Sequence, residues 1–112
     1  MDCRVKVRIG EKGNYFFGPG VAELLRAISE CGSVRQAAAS MELSYSKAWH
    51  MIKNREDGFG RTLVERTAGG KGGGTATLTE DGRKVMELFY TLEEKIQKDA
   101  EEEYLTVFGG YI

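Results

Sequence analysis

Between Ala68 and Thr75 the chain reads Gly69-Gly70-Lys71-Gly72-Gly73-Gly74, five glycines around one lysine. Such a run has nothing to bury and maximal backbone freedom, so it can neither fill a core nor extend a helix. It has to be an exposed connection, and its flanks decide what it connects. Arg61 to Arg66 (RTLVER) and Thr75 to Leu78 (TATL) both carry strand character. Residues from about 61 to 79 are therefore expected to form a β-hairpin with a glycine tip. A nucleotide-binding loop does not fit: it needs a glycine, four residues and Gly-Lys-Ser/Thr between a strand and a helix. Here Lys71 precedes Gly72, and both flanks read as strands.

Upstream, the period changes from two to that of a helix. Arg4-Val5-Lys6-Val7-Arg8-Ile9 alternates polar and apolar residues and predicts a half-buried strand; Gly10 to Gly18 reads as a loop. Pro19 suits the first turn of a helix, where its missing N–H costs nothing. Val21, Leu24, Leu25 and Ile28 follow at helical spacing, and Gly32 supplies a stop. Ser33-Val34-Arg35-Gln36 fits a capping box ahead of a short helix through Ala37, Ala38 and Ala39, small enough to let another helix approach. Glu42-Leu43-Ser44 breaks that helix, and Ser44 is a good N-cap for a third, with Ala48, Met51, Ile52 and Arg55 on one side. Asp57-Gly58 reads as its end. Two helices joined by so short a break form a helix-turn-helix. A long last helix, about residues 80–104, starts at Thr79-Glu80-Asp81, with acidic residues at its positive end. Its apolar residues Val85, Leu88, Phe89, Leu92, Ile96, Ala100 and Tyr104 form a narrow stripe that needs a covering surface. The expected fold is α+β, mainly α: a single winged helix-turn-helix domain over residues 1–112.

The formal net charge of −1 hides an asymmetry: residues 1–84 carry +4 and residues 85–112 carry −5. The acidic share lies in the last helix, leaving the remainder mildly basic, which permits a nucleic-acid partner. No apolar run reaches the roughly 18 to 20 residues of a membrane span. The first residues lack an apolar secretory core, so a cytoplasmic protein is expected. Cys3 and Cys31 show no CxxC spacing and are expected as free thiols; a single histidine leaves no metal-ligand cluster. No nucleophile–base or carboxylate pair is anchored by a motif, so neither an enzyme nor a cofactor is expected.

Stepping 100° per residue from Ala48 at the centre of the buried face turns Ser46, His50 and Lys53 away from the core, with Tyr45 and Trp49 on the flanks. In a helix-turn-helix the second helix lies in the major groove of double-stranded DNA, its N-terminal residues against base edges. Ser46 and His50 are then placed to read bases and Tyr45 to reach a thymine methyl or a phosphate. Lys47 and Lys53 would neutralise phosphates. In the hairpin, Lys71 and the glycine N–H groups would face phosphates, with Arg66 and Thr67 at the base of the wing. Each residue also has a plainer reading. Tyr45 and Trp49 can be core residues with one edge exposed, His50 and Lys53 ordinary surface residues, and the hairpin a connection without a role. A function of another class is a protein-interaction module that keeps the winged helix but has lost DNA binding, working through the acidic helix and the apolar tail 105–112.

Ser44-Tyr45-Ser46-Lys47-Ala48-Trp49, with Ile52 beyond, resembles the recognition helix of ModE-type molybdate-responsive transcription regulators. So does the run from Leu63-Val64-Glu65-Arg66-Thr67 through Gly74, followed by Ala76, Leu78-Thr79 and Gly82. Gly32-Ser33-Val34 through Ala37-Ala38 is similar to the wider LysR-type helix-turn-helix. Two long motifs in order make the resemblance specific, and it covers roughly residues 4 to 104. It implies an N-terminal domain that binds operator DNA as a homodimer, with the first strand and last helix in the dimer scaffold. The stripe from Val85 to Tyr104 then becomes a dimer seam that presents two recognition helices roughly 34 Å apart. On this pattern the 112 residues hold the DNA-binding domain without oxyanion-sensing domains. The apolar tail from Leu105 to Ile112 is expected to fold back on the body or to meet a protein partner.

Overall fold

A computed structural model describes residues 1–67 and 74–112. The element order is β1 (Ile9–Glu11), β2 (Asn14–Phe17), α1 (Pro19–Cys31), α2 (Val34–Ser40), α3 (Tyr45–Phe59), β3 (Val64–Thr67), β4 (Thr75–Leu78) and α4 (Glu80–Phe108). This is a winged helix-turn-helix: three helices around one core, a two-stranded wing after α3, and a long helix leaving the body.

The helix ends follow the chemistry of their caps. Gly18 and Pro19 open α1, and Gly32 closes it at φ 69°, donating its N–H to the Ile28 carbonyl. Ser33 Oγ accepts from the Gln36 N–H at 3.2 Å, and Ser44 Oγ accepts from the Lys47 N–H at 3.0 Å. Thr79 does the same for Gly82 at the start of α4. The core they enclose joins Val21, Leu24, Leu25 and Ile28 of α1 to Ala37 and Ala38 of α2, Ala48 and Ile52 of α3, and Phe89 of α4. Phe17 meets Phe89 and Phe59 edge-on, with ring centroids 5.2 and 5.4 Å apart. In the wing, Val64 lies opposite Leu78 and Thr67 opposite Thr75; the Ala76 N–H of β4 donates to the Gly32 carbonyl, tying the wing to the end of α1.

Several boundaries differ from expectation. The alternation over residues 4–9 is present, with Cys3, Val5, Val7 and Ile9 half-buried between exposed neighbours, yet only Ile9 enters a ladder. Upstream, the backbone is met by one side chain: Gln97 of α4 accepts from the Val5 N–H and donates to the Cys3 carbonyl. The expected loop at Gly10 to Gly18 contains β2, which turns back on β1 through Lys12 and Gly13, both at positive φ. Helix α3 does not stop at Asp57-Gly58 but continues to Phe59; Gly58 there makes room for Phe16, whose ring a Cβ would overlap. The strand expected from Arg61 begins at Val64. Helix α4 runs on to Phe108 and takes the first part of the tail; Leu105, Val107, Phe108, Tyr111 and Ile112 are exposed rather than folded back. No helix of the described residues is long and apolar enough to cross a membrane.

Gly82 is the point where α4 crosses the body. A Cβ there would overlap the Leu63 carbonyl oxygen, a backbone atom that cannot swing aside. Gly82→Ala would gain about 1 kcal/mol in helix propensity on an open surface. At this crossing it is expected to cost about 1–3 kcal/mol instead. Denaturant unfolding reads the sign directly; an unchanged or higher midpoint would mean that the crossing has slack.

Candidate nucleic-acid interface

Helix α3 buries Ala48 and Ile52 and leaves Ser46, Lys47, His50, Lys53 and Asn54 exposed, as the 100° step requires. Ser44, at its N-cap, is exposed as well. Tyr45 and Trp49 sit half-buried on the flank, packed against the core by one edge. Together these residues give α3 a polar outer face about three turns long.

The wing lies beside that face, and aromatic and guanidinium groups join the two. The Tyr45 and Trp49 rings meet edge to face with centroids 6.5 Å apart. Arg66 of β3 donates from Nη1 to the Tyr45 hydroxyl at 2.6 Å and holds its guanidinium 5.2 Å from the Trp49 ring centroid. Arg35, in the first turn of α2, lies over the face of Tyr45 at 4.5 Å. Cation–π contacts at such exposed sites are individually weak. Trp49 Nε1 is buried and makes no hydrogen bond of full geometry, but its N–H still favours a phenolate at Tyr45. With help from Arg66 and Arg35 it lowers the Tyr45 hydroxyl from its ordinary value, against the opposing effect of burial.

A carboxylate sets the inner edge of this surface. Glu56 Oε2 accepts from the backbone N–H groups of Leu63 and Val64 at 2.8 and 3.2 Å. Its other oxygen is 3.8 Å from Lys53 Nζ, a loose pair on an exposed lysine that contributes little. Lys53, 72% exposed, therefore stays open to an outside partner.

The structure thus brings Ser44, Tyr45, Ser46, Lys47, Trp49, His50 and Lys53 onto one helix, with Arg66 and Thr67 exposed on the adjoining strand. Lys71 and the glycine tip lie outside the described residues. Two residues of this surface escaped the sequence reading. Asn54 was within reach of it, one helical turn beyond His50 on the same outer face. Arg35 was not, because its place over Tyr45 depends on how α2 crosses α3. The expected seam on α4 divides. Phe89 is 1% exposed and belongs to the core of its own chain, and Val85 packs against that core. Leu88 and Leu92 remain open, at 55% and 39%. Ile96, Ala100 and Tyr104 are half-buried, and the Tyr104 hydroxyl is 3.5 Å from the Met1 sulfur. Among the described residues, no group of three or more His, Cys, Asp or Glu is placed to hold a metal ion.

Comparison with known proteins gives concordant results. The model of the bacterial regulatory helix-turn-helix proteins of the lysR family matches residues 21–83, from α1 through the wing to the first turn of α4. The transcriptional regulator ModE of Haemophilus influenzae is 38% identical over 85 residues, which are 76% of this chain and 33% of that protein. The DNA-binding transcriptional dual regulator ModE of Escherichia coli K12 is 34% identical over 98 residues, 88% of this chain and 37% of the relative. The chain spans about a third of the length of these relatives. Among solved structures, the DNA-binding domain of CbnR in complex with DNA has a similar fold. Its TM-score is 0.61 at 19% identity, and the match covers 79% of this chain and 95% of that one.

Tyr45→Phe removes only the oxygen that accepts from Arg66. The guanidinium is then expected to leave the indole face, shifting the emission of Trp49, the one tryptophan in the chain, at unchanged far-UV circular dichroism. An emission spectrum identical to the parent's would show that the hydrogen bond does not hold Arg66 in place.

Proposed function

The chain belongs to the lysR family of bacterial regulatory helix-turn-helix proteins, and on that premise we propose that it is a sequence-specific, double-stranded-DNA-binding transcription regulator of the ModE-like type. One observation carries the reading: α3 turns Ser46, His50 and Lys53 outward, and strand β3, which in sequence precedes the glycine-lysine run, stands beside it. A helix with one apolar side sealed and one polar side bare, next to a β-ribbon, has the shape that enters a major groove while the ribbon follows the backbone.

In this role Ser46 and His50 read base edges from the first turns of α3, with Asn54 a turn further on. Tyr45 reaches a thymine methyl or a phosphate. Lys47, Lys53 and the wing residues Arg66, Thr67 and Lys71 meet the phosphates. Work on the chromosome is cytoplasmic work in a bacterial cell. Replacing Ser46 or His50 by Ala should change the preferred sequence, at about 1–3 kcal/mol for each lost base contact. Replacing Lys47 by Ala should weaken all sequences alike and make the dependence of log K on log salt shallower by about 0.9. Selection of bound sites from random DNA, followed by anisotropy titrations at several salt concentrations, measures both. No binding to any duplex at low salt would overturn the reading.

The operator-bound species we propose is a homodimer. Leu88 and Leu92 lie one turn apart on α4 and keep 55% and 39% of their surface open, at the spacing of a helix–helix seam. Phe89 takes no part in this seam. Leu88→Asp with Leu92→Asp should leave a folded monomer by sedimentation equilibrium, and half-site spacing should vanish from the selected sequences. A dimer that survived both changes would move the seam elsewhere.

A further inference from the structure

Arg35, Tyr45 and Arg66 come from three different elements, α2, α3 and β3, yet their polar ends converge. Arg35 covers the phenol face and Arg66 holds the phenol oxygen. The ion pairs of the described residues engage Arg26, Lys53 and Arg61, none of these two. The undescribed stretch 68–73 contains no aspartate or glutamate that could serve either arginine. Two guanidiniums drawn to one tyrosine without any carboxylate repel each other, and a shared external anion relieves that repulsion.

We infer that Arg35, Tyr45 and Arg66 form a single anion clamp that takes one phosphodiester of the DNA backbone. The inference rests on the DNA-binding reading above and adds Arg35 and a defined stoichiometry to it. The Tyr45 oxygen already accepts from Arg66, so its own proton is free to be donated outward. Planar guanidinium forks suit the oxygens of a phosphate. The cleft between Ser33, Arg35, Tyr45, Arg66 and Ala76 has room for about 20 Å³, roughly one water. A phosphate cannot be enclosed there; it would sit on the lip, where a backbone lying along the surface can present one. The clamp adjoins the first turn of α3, where the DNA strand passing between helix and wing would present it.

One phosphate shared by two arginines has a salt signature that two separate phosphates lack. Arg35→Gln and Arg66→Gln keep the side-chain stems and should each weaken binding to all duplexes at least about fivefold. Each should leave the slope of log K against log salt close to that of the parent, since the remaining arginine still neutralises the phosphate. The double variant should lose about 0.9 of slope, not about 1.8. Slopes that fall by about 0.9 in each single variant and add in the double would mean two phosphates and overturn the shared clamp. Unchanged affinities in all three would overturn it as well, with the DNA reading intact. If the parent binds no duplex, that reading fails and the clamp with it. Arg35→Lys with Arg66→Lys is the second pair: charge kept without the fork should preserve the slope, and a loss of about 0.9 would count against the clamp. Far-UV circular dichroism and melting temperature confirm that each variant is folded before titration.

Discussion

Glu56 holds the recognition helix and the wing in one frame. Its carboxylate is close to fully covered, and a covered carboxylate is costly unless it is well served by donors. The N–H groups of Leu63 and Val64 serve it from the far side of the Gly60 turn. Leu63, itself sealed in the core, offers its carbonyl to the Thr79 N–H, while the Thr79 hydroxyl donates to the Thr62 carbonyl. The end of α3, the start of β3, the end of β4 and the start of α4 thus meet within a few residues. The wing cannot slip along α3 without leaving an acid and several amides unpartnered in the interior.

On the outer side of that frame the same side chains serve both the fold and the surface. Tyr45 and Trp49 bury one edge each in the three-helix core and turn the other toward the wing, as amphipathic rings can. Arg66 lies across them, so the wing strand is held near its base by charge and aromatic contact. Its partner strand β4 is held to the body by the hydrogen bond from the Ala76 N–H to the Gly32 carbonyl. A surface built this way is preorganised: little ordering remains to be done when a rigid partner such as a duplex arrives.

Much of this was legible in the sequence where the cause is local. Ser33, Ser44 and Gly32 act as caps because capping depends on residues within one turn, and the outward set Ser46, His50 and Lys53 follows from helical geometry once Ala48 is placed inside. Several of the misreadings involve distant partners. Gly58 looks like a stop until Phe16, remote in sequence, is found to need its space. The alternating first residues look like a ladder strand, but Gln97 answers their backbone from the other end of the chain. Phe89 shares a stripe with Leu88 and Leu92 at seam spacing, and only the rotation of α4 on the body shows that it faces Phe17. Arg35 carries no local mark at all; its meaning comes from the α2–α3 crossing.

The glycine contact between α4 and Leu63 makes Gly82 a fulcrum. Beyond it the helix continues for another 26 residues, to Phe108, in a molecule 62 Å long and 28 Å wide. At 1.5 Å per residue that lever arm is about 39 Å, so a tilt of only about 5° at the crossing would swing the far end by roughly 3 Å. Close backbone approach at Gly82, with the Phe89 anchor two turns further on, therefore sets how accurately whatever lies against the outer half of α4 is aligned with the helix that faces the groove.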